Sequence, residues 1–194
     1  IEHRLHPAMP APAPIAILLS QASDTWDTED LGGSGKLYHA KFNINNEERK
    51  AIWLALRHAQ YPVDLITDED VADGRLESYK VLYIVGSEML KAAAKPLKQW
   101  VHAGGIVYAS GGGGLLDEYH NPLTILYEMY GLQSHKLVRH SRHIRPRNML
   151  ATAKVHDTLV ITGLDGSSHP ITVPTLFYRE SLQVQPPAQV LGVY

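Results

Sequence analysis

The sequence contains no cysteine. That absence excludes disulfides, thiolate zinc sites and a cysteine nucleophile together. It leaves the compartment open, because cysteine-free chains occur both inside cells and among secreted proteins. An excess of one charge sign is also missing. Lys and Arg number 18 against 20 Asp and Glu, a formal net charge of −2, so no global field draws the chain to nucleic acid or an anionic membrane. No apolar run approaches the roughly 20 residues that span a bilayer. The opening residues Ile1-Glu2-His3-Arg4 carry no apolar signal-peptide core, although a mature or excised chain would lack one too. A soluble chain is expected, cytoplasmic or secreted, with neither nucleic acid nor membrane as partner.

What is present suits one ordinary domain. Of 194 residues, 44% are hydrophobic and 20% charged, enough apolar material for a real core. The segment from His6 to Pro14 alternates Pro with Ala and reads as a stiff extended linker or as a frayed terminus. We therefore expect a linker over 1–13, an α/β core over 14–150 and a β-rich extension of the same domain over 151–194. The strand-like end at Val190-Leu191-Gly192-Val193-Tyr194 adds the expectation of a fragment of a longer protein.

The core reading rests on rhythm. Ile15–Ser20, Val63–Thr67, Val81–Gly86 and Ile106–Ser110 are short, almost continuously apolar runs, the pattern of parallel strands covered on both faces. Helices are expected between them. Asn45 and Glu48 form a capping pair before a helix over 46–59, whose buried stripe would be Ala51, Ile52, Ala55, Leu56 and Ala59. Pro96 fits the first turn of another helix, closed by Gly104-Gly105, and Asn121-Pro122 opens a last one, closed by Gly131. Strands alternating with helices imply right-handed βαβ units and a parallel sheet. The β segments after residue 150 are expected to extend one edge of that sheet. The stretch Gln21 to Asn46, with Gly32-Gly33-Ser34-Gly35 at its centre, reads as a long surface loop.

Several segments in this order carry a family likeness: Ala16-Ile17-Leu18-Leu19-Ser20 with Ala22-Ser23-Asp24-Thr25-Trp26, Pro62-Val63-Asp64-Leu65-Ile66, Tyr79-Lys80-Val81-Leu82-Tyr83, Trp100-Val101-His102-Ala103-Gly104-Gly105, and Leu116-Asp117-Glu118-Tyr119. Over residues 14 to 132 the chain resembles the trimerisation domain of family 42 β-galactosidases, a class I glutamine-amidotransferase-like fold related to flavodoxin-like sheets. The resemblance implies a domain that does not cut glycosidic bonds, follows a catalytic barrel and helps assemble the oligomer. No cofactor is implied. The expected partners are further copies of the chain or a neighbouring catalytic domain.

Candidate site residues gather at the ends of the apolar runs. Ser110 stands where amidotransferases place their cysteine, on an elbow that needs small neighbours and backbone N–H groups for an oxyanion. Tyr108 replaces the first glycine of that elbow, and the plainer reading is a turn residue at a strand end. His169-Pro170 resembles part of an amidotransferase triad, but Ile171 occupies the glutamate position, so the imidazole lacks its orienting carboxylate. Ser110 and His169 are thus weak catalytic candidates, and no catalytic residue is assigned.

Gly86, Ser87, Glu88, Ser110, Gly111, Gly112 and Asp117 are candidates for a ligand crevice at the carboxyl ends of the strands. Asp117, Glu118 and His120 invite a metal or acid–base reading, against helix-start and surface charges. The glycines 111 to 114 invite a phosphate cradle, against a plain turn. No metal is expected. Lys136, Arg139, Arg142, Arg145 and Arg147, interleaved with His135, His140 and His143, form the one basic cluster and read as an interface rim or solvated face. The expected function is therefore assembly. A small-molecule hydrolase using Ser110, and a sugar- or nucleotide-binding module, are the alternatives.

Overall fold

The computed structural model describes residues 12–27, 44–139, 155, 157–162, 169–175 and 178–193. The Gly-Ser loop at 32–35, most of the Pro-Ala segment, Arg142, Arg145 and Arg147, and His140 and His143 lie outside these. Chain order begins with strand β1 (Ile15–Leu19), helices α1 (Gln21–Trp26) and α2 (Ile44–His58), then β2 (Val63–Thr67) and α3 (Asp68–Ala72). It continues with a 3-10 turn at Arg75–Ser78, β3 (Val81–Val85), α4 (Lys91–His102), β4 (Ile106–Ser110) and α5 (Thr124–Tyr130). Five strands follow: β5 (Leu132–Arg139), β6 (Asp157–Ile161), β7 (Ile171–Thr175), β8 (Tyr178–Val184) and β9 (Gly192–Val193).

The first four strands form one parallel sheet in the order β2-β1-β3-β4. All four are parallel in register, as their apolar character predicts. This is a doubly wound order, in which the connections reverse direction between β1 and β3. One face carries the main core. Ala16, Leu18, Ile66, Leu82 and Ile84 point there and pack with Val71 of α3, Ala93, Ala94 and Leu97 of α4, and Leu126 of α5. Each fully buried Leu, Ile or Val among them contributes about 1.5–3 kcal/mol of hydrophobic stabilisation.

The opposite face departs from expectation. Registers align Leu65, Ile17, Tyr83 and Tyr108 in one row across the sheet. Ile17 at its centre is fully buried, whereas Leu65 is 52% and Tyr108 50% exposed. β2 and β4 flank the sheet, so helix α2 covers the middle and leaves the flanks open. Cover on both faces therefore holds only for β1 and β3.

Local boundaries shift for identifiable reasons. Helix α2 starts at Ile44, and Ile44, Asn45 and Arg49 are its buried residues. Asn45 donates its backbone N–H to Asp27 Oδ2 at 3.0 Å, and Glu48 turns to Ser110, so these two are not a capping pair. Of the expected stripe, only Ile52 and Leu56 are even half-buried. Helix α4 begins at Lys91 and holds Pro96 in its interior. Its first N–H is accepted by Glu118 Oε2 at 2.7 Å, a tertiary cap that no local pattern announces. The last helix begins at Thr124, two residues after Pro122.

The later strands do not extend the parallel sheet. β5 and β8 pair antiparallel as a two-stranded sheet, and β7-β6-β9 form a three-stranded antiparallel one. The fold is α/β with a β-rich C-terminal part.

Candidate functional site at the strand ends

Residues after β1, β3 and β4 converge at the carboxyl ends of the sheet. Ser20 caps α1, its Oγ accepting from Ser23 N at 3.2 Å. Ser20 Oγ and Ser23 Oγ both donate to the Glu88 carbonyl, at 2.9 and 2.7 Å, tying the end of β1 to the loop after β3. Gly86 has φ +106, and a Cβ there would collide with the Ser23 side chain. Only glycine admits both that backbone and that approach. Ser87 Oγ donates to the Gly111 carbonyl at 3.1 Å, joining the loops after β3 and β4.

The Glu88 side chain is fully buried, and His120 Nδ1 lies 3.0 Å from its Oε1. His120 itself is half-exposed and has a left-handed φ of 67°. The turn that holds it is built by Asp117, whose Oδ1 accepts from the backbone N–H groups of Tyr119 and Asn121 at 2.9 and 2.8 Å. The Asn121 backbone bond foremost holds the Asp117 carboxyl below its ordinary range. Asp117 is thus a loop organiser, and Glu118 is the α4 cap. Neither residue starts the helix that follows, α5, so the helix-start and surface-charge reading does not describe them.

Trp26, at the end of α1, leans on the His120 ring with centroids 4.7 Å apart and donates its indole N–H to the Glu118 carbonyl at 3.2 Å. Together with Ser87, Glu88, Gly112 and His135 these groups line a cavity of about 500 Å³. Of the crevice candidates, Ser87, Glu88 and Gly112 line the cavity, while Gly86, Gly111 and Asp117 lie on the neighbouring loops and Ser110 ends β4. Trp26, His135 and Glu48 were not legible as part of this region, because they arrive from distant elements.

Ser110 has a carboxylate beside it, not an imidazole. Its Oγ donates to Glu48 Oε1 at 2.5 Å. Burial foremost raises the Glu48 pKa, while the Ser110 bond pulls it down. A carboxylate of raised pKa with a serine donor does not make the relay of an imidazole-activated hydroxyl. His169 is exposed just before β7.

The glycine run is equally committed. Gly111 to Gly114 all have positive φ. Gly112 N–H goes to Glu180 Oε1 at 2.9 Å, Gly113 N–H to the Ser110 carbonyl and Gly114 N–H to the Gly86 carbonyl. These three donors serve the fold and form no phosphate cradle. Among the described residues no group of three or more His, Asp or Glu has the geometry to hold a metal ion. In the basic cluster, Lys136 is exposed on β5 opposite Ser181, and the Arg139 backbone pairs with Tyr178. No described helix is long and apolar enough to cross a membrane.

No protein-family model matches the chain, and no curated protein matches it. Solved structures do. Gan42B, a GH42 β-galactosidase from G. stearothermophilus, matches in two structures, one of them a catalytic mutant. Both have a TM-score of 0.59, at 20% and 21% identity, covering 95% of this chain and 24% of theirs. A β-galactosidase from Bifidobacterium adolescentis matches at a TM-score of 0.47 and 22% identity, over 63% of this chain and 56% of its own. The likeness to Gan42B is one of fold. This chain spans about a quarter of that enzyme's length.

Proposed function

We propose that this chain is an assembly or accessory domain of a larger glycoside-hydrolase-like protein of β-galactosidase type. One observation carries the reading: nearly the whole chain superimposes on a minor portion of a GH42 β-galactosidase. That is the relation expected of a domain set beside a catalytic one, and it agrees with the resemblance of residues 14 to 132.

The surface supports it. Leu65, Ile106 and Tyr108 on the flanking strands, with Trp53 and Leu54 on α2, are all exposed. Exposed apolar side chains with aromatics among them are what a partner subunit or neighbouring domain covers. The Ser110–Glu48 bond weighs against the hydrolase alternative. The occupant in this reading is a further copy of the chain or the adjoining catalytic domain. Lys136, Arg139, Arg142 and Arg145 are the basic residues this reading assigns to the interface, since guanidinium groups pair bidentately with carboxylates.

The experiment is a mass measurement in solution on the full-length parent protein. Tyr108→Ser with Ile106→Ser should split the assembly, and changing Lys136, Arg139, Arg142 and Arg145 to Glu should weaken it in a salt-dependent way. A parent protein that is monomeric from the start, or whose mass ignores both sets, would refute the assembly role.

A further inference from the structure

The cavity at the strand ends has features that assembly does not use. It opens beside the reversal between β1 and β3, the place where open α/β sheets bind ligands. Trp26 reaches it from the helix after β1, Glu88 from the loop after β3 and Gly112 from the loop after β4. Its volume of about 500 Å³ falls in the roughly 300–1,000 Å³ range of small-molecule sites. We propose that this cavity binds a single neutral sugar ring.

The lining selects that chemistry. Among the described residues its lining has no Lys or Arg, and the carboxylates of Glu88 and Glu180 stand close by, so a phosphate or carboxylate ligand would meet repulsion. Two imidazoles supply the polar contacts. His120 is turned by the buried Glu88 carboxylate at its Nδ1, which leaves Nε2 as the ring nitrogen for a ligand. His135 is nine-tenths buried, and among the described residues its Nε2 makes no hydrogen bond, with Glu180 Oε2 3.4 Å away. Imidazole nitrogens hydrogen-bond readily, which suits hydroxyl groups that both give and take hydrogen bonds.

The apolar side of a sugar ring needs a flat surface. Trp26 offers its half-exposed indole, fixed by the bond to the Glu118 carbonyl, and Leu115 and Leu116 add aliphatic wall. The left-handed backbone at His120 is the kind of strain that clusters at ligand sites. A cationic amine would also find the indole attractive, which is why one is included in the test. The proposal is independent of the assembly role, since neither the exposed sheet flanks nor the basic rim enters it.

The test is saturation-transfer NMR on the 194-residue chain with galactose, glucose, inorganic phosphate and ethanolamine. Saturable transfer to a sugar is expected. Trp26→Ala and His120→Ala should each weaken it about tenfold or more, and Tyr61→Ala, at an exposed aromatic away from the cavity, should leave it unchanged. Both cavity positions are solvent-facing, and thermal unfolding of each variant checks that it folds. If either alanine variant loses structure, Trp26→Phe and His120→Gln replace it, with weakened transfer again expected. Absence of transfer to both sugars, transfer that survives the Trp26 and His120 changes, or binding of phosphate or ethanolamine in place of sugar would each overturn the proposal.

Discussion

Ser110 donates a 2.5 Å hydrogen bond to Glu48 Oε1, joining the end of β4 to the first turns of α2 across 62 residues of sequence. The bond assigns the serine a structural task. It locks the flanking strand to the helix that lies over the open face of the sheet. Ser110→Ala should therefore cost about 1–2 kcal/mol of stability, read as a shift in the urea midpoint. It should also push the Glu48 carboxyl further up, because the one hydrogen bond that opposes its burial is gone. Release of ammonia from glutamine, or of nitrophenol from its esters, should be absent from the chain. A rate that vanishes in Ser110→Ala would contradict the structural role.

Asp68 gives a pH prediction. It is almost fully buried at the start of α3, and burial lifts its pKa from 3.8 to about 6 against the bonds from Ser20 and the Leu90 backbone. The folded state thus holds the proton more tightly than the unfolded chain does. Its contribution is fully present below about pH 4 and is lost as pH rises through 6, at most about 3 kcal/mol in all. Glu48 is shifted in the same direction, so the comparison of variants is what isolates Asp68. Urea midpoints of Asp68→Asn should lack the part of the decline between about pH 4 and pH 7 that the unchanged chain shows. Parallel profiles for the two proteins would show that Asp68 is not the source.

Glycines of equal backbone geometry should differ sharply in tolerance. Gly86 and Gly104 both have φ +106, but a Cβ on Gly104 meets nothing within 4 Å, whereas one on Gly86 strikes Ser23. Gly104→Ala should cost the left-handed strain alone, about 1–2 kcal/mol. Gly86→Ala adds the loss of the Ser23 contacts that bind β1 to the β3 loop, for a total of about 3 kcal/mol or more. Equal thermal shifts in the two variants would remove the steric account of the Gly86 turn.

The parallel strands were legible because burial leaves continuous apolar runs, and Ile17, Leu82 and Ile84 obey that rule. Ile106 and Tyr108 carry the same pattern yet face solvent here, since sequence records that a surface is apolar but not what covers it. The tertiary caps were illegible for a different reason. Glu118 on α4 and Asp27 on α2 act across long separations, so no i to i+3 pattern betrays them. β5 was hidden by its Lys and His content, which reads as a solvated stretch until β8 supplies the pairing partner. Of the candidate site, the loops after β3 and β4 were visible as Gly and Ser punctuation. Trp26 and His135 became part of it only through folding.

The Arg49–Asp24 pair should respond asymmetrically to loss of either member. Arg49 Nη2 lies 2.5 Å from Asp24 Oδ1, with the Arg49 side chain 4% exposed and that of Asp24 39%. Among the described residues Arg49 Nε and Nη1 make no hydrogen bond, so Asp24 is the carboxylate hydrogen-bonded to the buried guanidinium, with Glu48 acting on it through space. Asp24→Ala strands a charge that always stays protonated, and removing one partner of a buried pair costs about 3–5 kcal/mol. Solvent access at Asp24 holds the expected loss to the lower end, about 3 kcal/mol. Arg49→Met behaves differently. It keeps an apolar side chain of similar length in the buried site, and the carboxylate left behind still reaches water, so the cost should be about 1 kcal/mol or less. Denaturant midpoints of the two variants and of the double variant decide the matter. A larger loss for Arg49→Met than for Asp24→Ala would mean that the guanidinium is stabilised by something other than Asp24.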